Sequence, residues 1–339
     1  MPKLYIQEYK KELIGTRILI ACREGILREN IKNVLSDIKF MDRQGIKTIF
    51  LHNLANRFAN RKYFSLLQEK LPNTQICRIP VEAGEDFYNY ALNFSSHINK
   101  IVFIERKYLT DEKGRKLNAL TTKNALKLIK EKKIIAYGDL IANANFKAII
   151  EKICTKIENK DIDRIHIVPA RKSCLKHELF SLEGTGTLIA NNFTETLEGI
   201  SSDDEVRMVE NILKPYLSKG LIKHRNREHI FTHRKNFYMA KIDGIPVGCV
   251  EKINLSESTA ELGALAVATR YRNHQVGFFL IKSFVEMAKK EGYRRVVSLT
   301  RNSKLKSIYC SVGFEEKIPG DLQDRKSKSP DVPMFVYLL

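Results

Sequence analysis

The sequence predicts an α/β protein of two domains: an N-terminal, largely parallel sheet sandwiched by helices, then a C-terminal α+β domain. Three observations carry this. A chain of 339 residues is long enough for two cores of ordinary size. Up to residue 168, short Ile- and Val-rich runs alternate with longer helical patterns, as parallel strands covered on both faces require. After residue 204 the order changes to one helix, several antiparallel strand candidates and a single β–α–β–α segment.

In the first part, strands are expected at Arg17–Cys22, Lys47–Leu51, Gln75–Ile79, Lys100–Glu105 and Asp163–Val168. Helices are expected at Leu27–Arg43, with apolar residues at 27, 31, 34, 35, 38 and 41, and at Tyr63–Leu71, Asp86–His97, Thr121–Lys132 and Ala142–Ile157. The segment Arg106–Leu120 interrupts the alternation, and its Asp111-Glu112-Lys113-Gly114 turn predicts a hairpin flap beside the sheet. Periodicity lapses over 191–204, where Ser202-x-x-Glu205 gives a helix-start signature. The domains are therefore expected at 1–193 and 200–339. The second should contain a helix at Asp204–Lys219, strands at Ile230–Ile242, Ile245–Ile253 and Thr259–Ala268, and a helix at Gln275–Glu291. A strand at Arg294–Thr300, a short helix at Lys304–Ser311 and edge strands near 315 and 335 complete it.

Composition narrows the function. Hydrophobic residues at 43% and charged residues at 29% exclude a disordered chain. The longest apolar runs, Ile18–Cys22 and Ile101–Ile104, are far below the roughly 20 residues that span a bilayer, so no membrane association is expected. The N-terminal residues lack an apolar segment followed by a small-residue cleavage site, which predicts a cytoplasmic protein. Six cysteines without a CxxC pair predict reduced thiols and no zinc ribbon, and the spacing of His224, His229 and His233 fits no metal motif. A net charge of +19 favours anionic partners, whether nucleic acid, a phosphate-rich cofactor or carboxylate substrates. No helix-turn-helix, RNP-like aromatic pair or basic tail accompanies it, so nucleic acid is not expected.

The most informative window runs from Ala260 to Phe314. A strand ending at Val267 leads through Arg270-Tyr271-Arg272-Asn273-His274-Gln275-Val276-Gly277 into a helix. Such a junction is an anion site, because the first N–H groups of a helix lack intrahelical partners and its dipole is positive there. The segment resembles the acetyl-CoA-binding motif of the GNAT acetyltransferases, whose turn reads Arg/Gln-x-x-Gly-x-Gly/Ala. Here Gln275 stands at the first glycine position, where a side chain hinders close approach of backbone to phosphate. Asn302-Ser303-Lys304-Leu305-Lys306-Ser307-Ile308-Tyr309-Cys310-Ser311-Val312-Gly313-Phe314 is similar to that family's second motif. The resemblance implies acetyl-CoA as cosubstrate, no metal, and a cofactor contact set of Leu265, Ala266, Val267, Arg272, Gln275, Val276, Gly277, Phe278 and Asn302. It implies Tyr309 as the acid that protonates the departing thiolate; otherwise Tyr309 is a core aromatic. Glu261 is either a base acting through water or a solvent-facing strand carboxylate. Backbone N–H groups near Leu265–Val267 would receive the oxyanion of a tetrahedral intermediate.

The first part resembles the amino-acid kinase fold of acetylglutamate kinases, carried by Glu178-Leu179-Phe180-Ser181-Leu182-Glu183-Gly184-Thr185-Gly186-Thr187. The places where kinases of this fold cradle phosphate read Ala21-Cys22-Arg23-Glu24-Gly25 and Leu51-His52-Asn53-Leu54-Ala55-Asn56, without paired glycines, so phosphoryl transfer is not expected. A kinase-like domain joined to GNAT is similar to the bacterial N-acetylglutamate synthase family. That resemblance implies L-glutamate as acceptor amine, a place in arginine biosynthesis, and a homo-oligomer assembled through the kinase-like domain. It also implies an arginine effector near Glu178, Glu183, Gly184 and Gly186. Arg301 and Arg227 are the expected carboxylate-binding cations, and Arg225 reads as a solvated surface residue. A GNAT enzyme acetylating another amino acid, a polyamine or a protein lysine is the alternative, with a non-catalytic sensor or nucleic-acid binder as the third.

Overall fold

The computed structural model describes residues 4–55, 61–79, 87–94, 97–135, 146–193, 196–242 and 244–339. It divides into two compact units, Met1–Asn192 and Phe193–Leu339.

In the first unit, β1 (Arg17–Cys22), β2 (Lys47–His52), β3 (Thr74–Arg78), β4 (Lys100–Glu105), β6 (Ala119–Thr121), β8 (Arg164–Pro169) and β9 (Thr187–Ala190) form one seven-stranded sheet in the order β3-β2-β1-β4-β8-β9-β6. All pairs are parallel except β8 with β9. Alternate side chains of β1 enter opposite cores: Leu19 and Ala21 join Ile49, Leu51 and Phe103, whereas Ile18 and Ile20 join Phe50 and Val102. Both faces are buried, which is why these strands read as continuous apolar runs.

The expected flap contains a tight turn. Thr110 bridges Lys116, Gly114 takes a positive φ of 73°, and the Asp111 carboxylate accepts the N–H groups of Lys113 and Arg115. Its strand β5 (Thr110–Asp111) pairs outside the turn with β7 (Ile134–Ile135). The helix expected over Asp86–His97 is observed at Phe87–Leu92, and that over Ala142–Ile157 at Phe146–Glu158. Residues 86, 95–96 and 142–145 of those expectations, and Asn56, lie outside the described residues.

In the second unit, β10 (Thr196–Gly199), β11 (Phe237–Ile242), β12 (Ile245–Ser256), β13 (Thr259–Val267), β14 (Arg295–Leu299), β16 (Met334–Leu338) and β15 (Glu315–Glu316) form a sheet in that spatial order. Only β13 and β14 pair in parallel. The Asp203–Leu217 helix begins with the predicted capping box: Ser202 Oγ accepts from Glu205 N, and the Glu205 carboxylate accepts from Ser202 N.

Two expectations are corrected. Thr196–Gly199 is not part of a linker but the edge strand β10, whose mostly exposed side chains leave no apolar alternation to read. Ile230–Ile242 is not one strand. Asn226 Oδ1 accepts His229 N and caps a short helix, Arg227–Thr232, before β11 starts at Phe237.

Candidate functional site

The junction after β13 is set by the sequence around it. Gly248 on β12 lets the start of the Val276–Lys290 helix lie on the sheet, since a Cβ there would meet Leu280 Cδ1 at 2.8 Å and Val276 Cγ1 at 3.1 Å. Between strand and helix, Asn273 and Gln275 both adopt positive φ, 67° and 62°. This conformation costs a non-glycine residue about 1–2 kcal/mol, and the fold sustains it twice in three residues. Gly277 leaves open space where a Cβ would stand. Among the described residues, Arg272 Nε and His274 Nδ1 are buried without a hydrogen-bond partner. Burial lowers the His274 pKa below the ordinary histidine range. The Arg272 guanidinium packs 4.7 Å from the Tyr216 ring centroid, and His274 meets Phe193 edge-on at 4.9 Å. The unmatched Arg272 Nε–H beside a helix N-terminus fits a pyrophosphate, and His274 adds a second donor in the tautomer that protonates Nδ1.

The strand before this turn opens a cleft. β13 pairs with β14 only at Thr259–Arg295, Ala260–Val296 and Glu261–Val297. Ala264, with φ of 48°, marks the irregularity that opposes three steps of β13 to two of β12 between Cys249 and Glu251. Beyond Glu261 the two strands diverge, and Leu265, Ala266 and Val267 line the departing edge, largely buried. Val247 O accepts from Ala268 N, so the neighbouring Val267 N–H and C=O point away from β12, toward the gap. Both are held there by Tyr216, whose hydroxyl accepts from Val267 N at 3.0 Å and donates to Val267 O at 2.9 Å.

Tyr309 lies inside the unit, 1% exposed, with its ring stacked on Phe335. Ser298 Oγ donates to Leu262 O at 2.9 Å, so the Tyr309 hydroxyl, 2.7 Å from Ser298 Oγ, donates its proton to it. Leu262 is the first β13 residue beyond the paired segment, which puts the phenol two hydrogen bonds from the cleft. Burial first, and Glu261 second, push the phenol well above its usual pKa, keeping it protonated. Asn302 Oδ1 accepts Lys304 N and Leu305 N, so this side chain caps the Ser303–Val312 helix.

Glu261 is buried and bonded twice to Arg325, at 2.6 and 2.5 Å. Arg325 was not among the expected residues; 64 positions separate the pair, and Arg325 sits in a polar Arg-Lys-Ser-Lys run that carries no recognisable signal. Its Nη1 is buried without a partner. A second ion pair lies on the same face of the sheet. Arg225, only 8% exposed, bonds through Nε to Glu251 at 2.5 Å, and His229 Nε2 lies 2.9 Å from the other Glu251 oxygen. Arg225 is thus not the solvated surface residue that the sequence implied. Gly263 lies beside this pair: a Cβ there would sit 3.4 Å from an Arg225 nitrogen and 3.6 Å from Glu251. The expected cations lie elsewhere. Arg301 is exposed and leans on Asp331 at 3.5 Å, and Arg227 is exposed at a helix start. A groove of about 790 Å³ flanks the Val276–Lys290 helix, bordered by Gln275, Phe278, Leu197, Tyr238 and Met287. It meets the turn only at Gln275 and Phe278.

In the first unit, Glu178 is a hub of the fold. Its carboxylate lies 2.6 Å from His166 Nδ1 and accepts Thr185 N at 2.6 Å and Gly186 N at 2.7 Å. Gly186 permits close approach, since a Cβ would fall 2.3 Å from Ile167 O. Glu183 is exposed, and Gly184 turns at φ of 61°. At the end of β1, Asn53 Oδ1 accepts Glu24 N at 2.7 Å, and Tyr88 donates to the buried Glu105 at 2.5 Å.

Residues 206–314 match the family model described as Acetyltransferase (GNAT) family, the class that a strand diverging before an anion-binding turn defines. The particular likeness is to amino-acid acetyltransferases. The enzyme of Shewanella oneidensis is 31% identical over 144 residues, 42% of this chain and 32% of the relative. That of Buchnera aphidicola from Acyrthosiphon pisum is 27% identical over 206 residues, 60% of this chain and 45% of the relative. The chain thus aligns with less than half the length of these curated relatives. Among solved structures, N-acetylglutamate synthase from Neisseria gonorrhoeae, complexed with coenzyme A and L-arginine, covers 98% of this chain and 97% of its own, with TM-score 0.55 and 16% identity. The likeness shows the fold: an α/β unit followed by an α+β unit, the second carrying the GNAT match.

Proposed function

We propose that the protein transfers acetyl from acetyl-CoA to the α-amine of L-glutamate, as an amino-acid N-acetyltransferase. The observation that carries the transfer is the opening between β13 and β14, leading into a turn with unpartnered nitrogens at Arg272 and His274. The GNAT match over 206–314 supports the same chemistry. When bound, acetyl-CoA would place its diphosphate at residues 272–278 and its arm along Leu265–Val267. Tyr309, kept neutral by burial, is the proton source; because the Ser298 hydroxyl is turned to Leu262 O, the proton reaches the cleft only when Ser298 Oγ rotates its O–H from that carbonyl to the departing thiolate. Glu261 acts as base only if the Arg325 guanidinium is drawn away, because that group occupies both carboxylate oxygens.

Glutamate as the acceptor rests on the amino-acid acetyltransferase relatives and on two arginines on one face of the sheet, the buried Arg225 and the partly buried Arg325. We propose these, rather than Arg301 and Arg227, as the carboxylate-binding cations. One observation favours an altered acceptor: both arginines already hold internal carboxylates, Glu251 and Glu261. The solved synthase carries L-arginine, which supports arginine as an effector of the first unit. There Glu183 and Gly184 remain accessible, whereas Glu178 serves the turn itself. Assembly into a homo-oligomer through the first unit and a cytoplasmic location complete the proposal.

Incubation with acetyl-CoA and each of the twenty amino acids, followed by detection of free CoA thiol, tests it. Glutamate should release CoA above the blank. Release with another amine but not with glutamate would overturn the acceptor, and no release with any would overturn the amino-acid N-acetyltransferase.

A further inference from the structure

The cleft edge is closed by a side chain that the transferase chemistry does not use. Val267 presents one N–H and one C=O on the side away from β12, and the Tyr216 hydroxyl satisfies both. A phenol has one donor and can accept, so it stands in for the amide of a neighbouring strand. Tyr216 follows Pro215 near the end of the Asp203–Leu217 helix, and its ring lies under the Arg272 guanidinium. One residue thus touches both the strand edge and the anion turn.

We propose that Tyr216 is a latch on the carrier cleft, an inference that rests on the transferase assignment above. An amide-bearing arm lying along β13 as an added strand needs the Val267 N–H and C=O. The phenol hydroxyl holds the same two groups, so the arm binds only by displacing it, while the ring keeps Arg272 at the turn. Tyr216 therefore lowers affinity for the arm and raises affinity for the phosphates, and the two effects separate by substitution.

Titration calorimetry of wild type, Tyr216→Phe and Tyr216→Leu with coenzyme A and with adenosine 3′,5′-bisphosphate, which lacks the arm, tests the latch. Tyr216→Phe keeps the ring and loses the competitor, so it should bind coenzyme A about thirtyfold more tightly, the worth of the two displaced hydrogen bonds. Its affinity for the bisphosphate should equal that of wild type. Tyr216→Leu should bind the bisphosphate more weakly, and this arm of the test stands even if the Phe variant is poorly folded. Coenzyme A binding to Tyr216→Phe that is unchanged or weaker overturns the latch and leaves the transferase standing. Equal bisphosphate binding by Tyr216→Leu and wild type overturns the role of the ring. No heat from coenzyme A with any of the three proteins removes the transferase assignment itself.

Discussion

The two units each contain a junction where a central strand ends and a long helix begins, and they treat its polar groups in opposite ways. After β1, the Glu24 N–H is taken by Asn53 Oδ1; at the adjoining end of β2 the Leu54 N–H is taken by His52 Nδ1, and Tyr88 hydrogen-bonds Glu105 at the end of β4. After β13, Arg272 Nε and His274 Nδ1 are buried with no protein partner, and two non-glycine residues are held at positive φ. A helix N-terminus is an anion site only where its neighbours leave donors available. One junction is sealed by protein and the other is open to a ligand, and that difference separates a structural turn from a candidate cofactor turn.

Acid should break the seal first. Burial, helped by Arg78, lowers the His52 pKa from 6.5 to about 4, so the folded protein holds the neutral ring whose Nδ1 accepts Leu54 N–H. As pH falls below 6.5 the unfolded chain takes up the proton first, and stability is lost down to pH 4 by about 3 kcal/mol. Asp37, raised by burial to about 6, acts with the opposite sign, gaining stability as pH falls from there toward its ordinary 3.8. The diagnostic is therefore the stability gap between wild type and His52→Phe in urea titrations, which should shift by about 3 kcal/mol between pH 7 and pH 4. A constant gap would show that His52 does not hold the turn.

Ligands should discriminate the junctions next. Acetyl-CoA at one hundred times its Kd should stabilise the protein by about 2.7 kcal/mol, whereas ATP should leave the melting temperature unchanged. A shift with ATP would reopen the first junction as a nucleotide site. Arg272→Ala should weaken coenzyme A about tenfold, the loss expected for one charged hydrogen bond, and should flatten the salt dependence. Equal affinity at low and high salt for wild type would remove Arg272 from the site. The smallest effect is expected from Gln275→Gly. Relief of the left-handed backbone is partly offset by the entropy of glycine, leaving a gain of about 0.5–1 kcal/mol. Loss of stability would mean that the glutamine side chain supports the turn.

The frame of the molecule was legible where burial is two-sided. β1 and β4 begin and end at Arg17, Cys22, Lys100 and Glu105 as the apolar runs indicated. The edge strand β10 was not, because a strand with one buried neighbour and a solvent face has no pattern to distinguish it from a loop. The anion turn could be read because its residues are contiguous. The ion pairs could not: Glu261 meets Arg325 across 64 positions and Arg225 meets Glu251 across 26. Tertiary pairing between polar residues leaves no periodicity in the chain. The Tyr216–Val267 contact, across 51 positions, escaped for the same reason.

The thiols impose a practical constraint on measuring this chemistry. Cys22, Cys154, Cys174 and Cys249 are buried with pKa values raised by burial, and Cys77 is half-buried and also raised. Cys310 is exposed, one residue from Tyr309. A colorimetric disulfide reagent added to the native protein will therefore register one protein equivalent immediately, before any CoA is released. Cys310→Ser would remove that background, and in the unaltered chain the same exposed sulfur offers an attachment point for a fluorophore on the Ser303–Val312 helix.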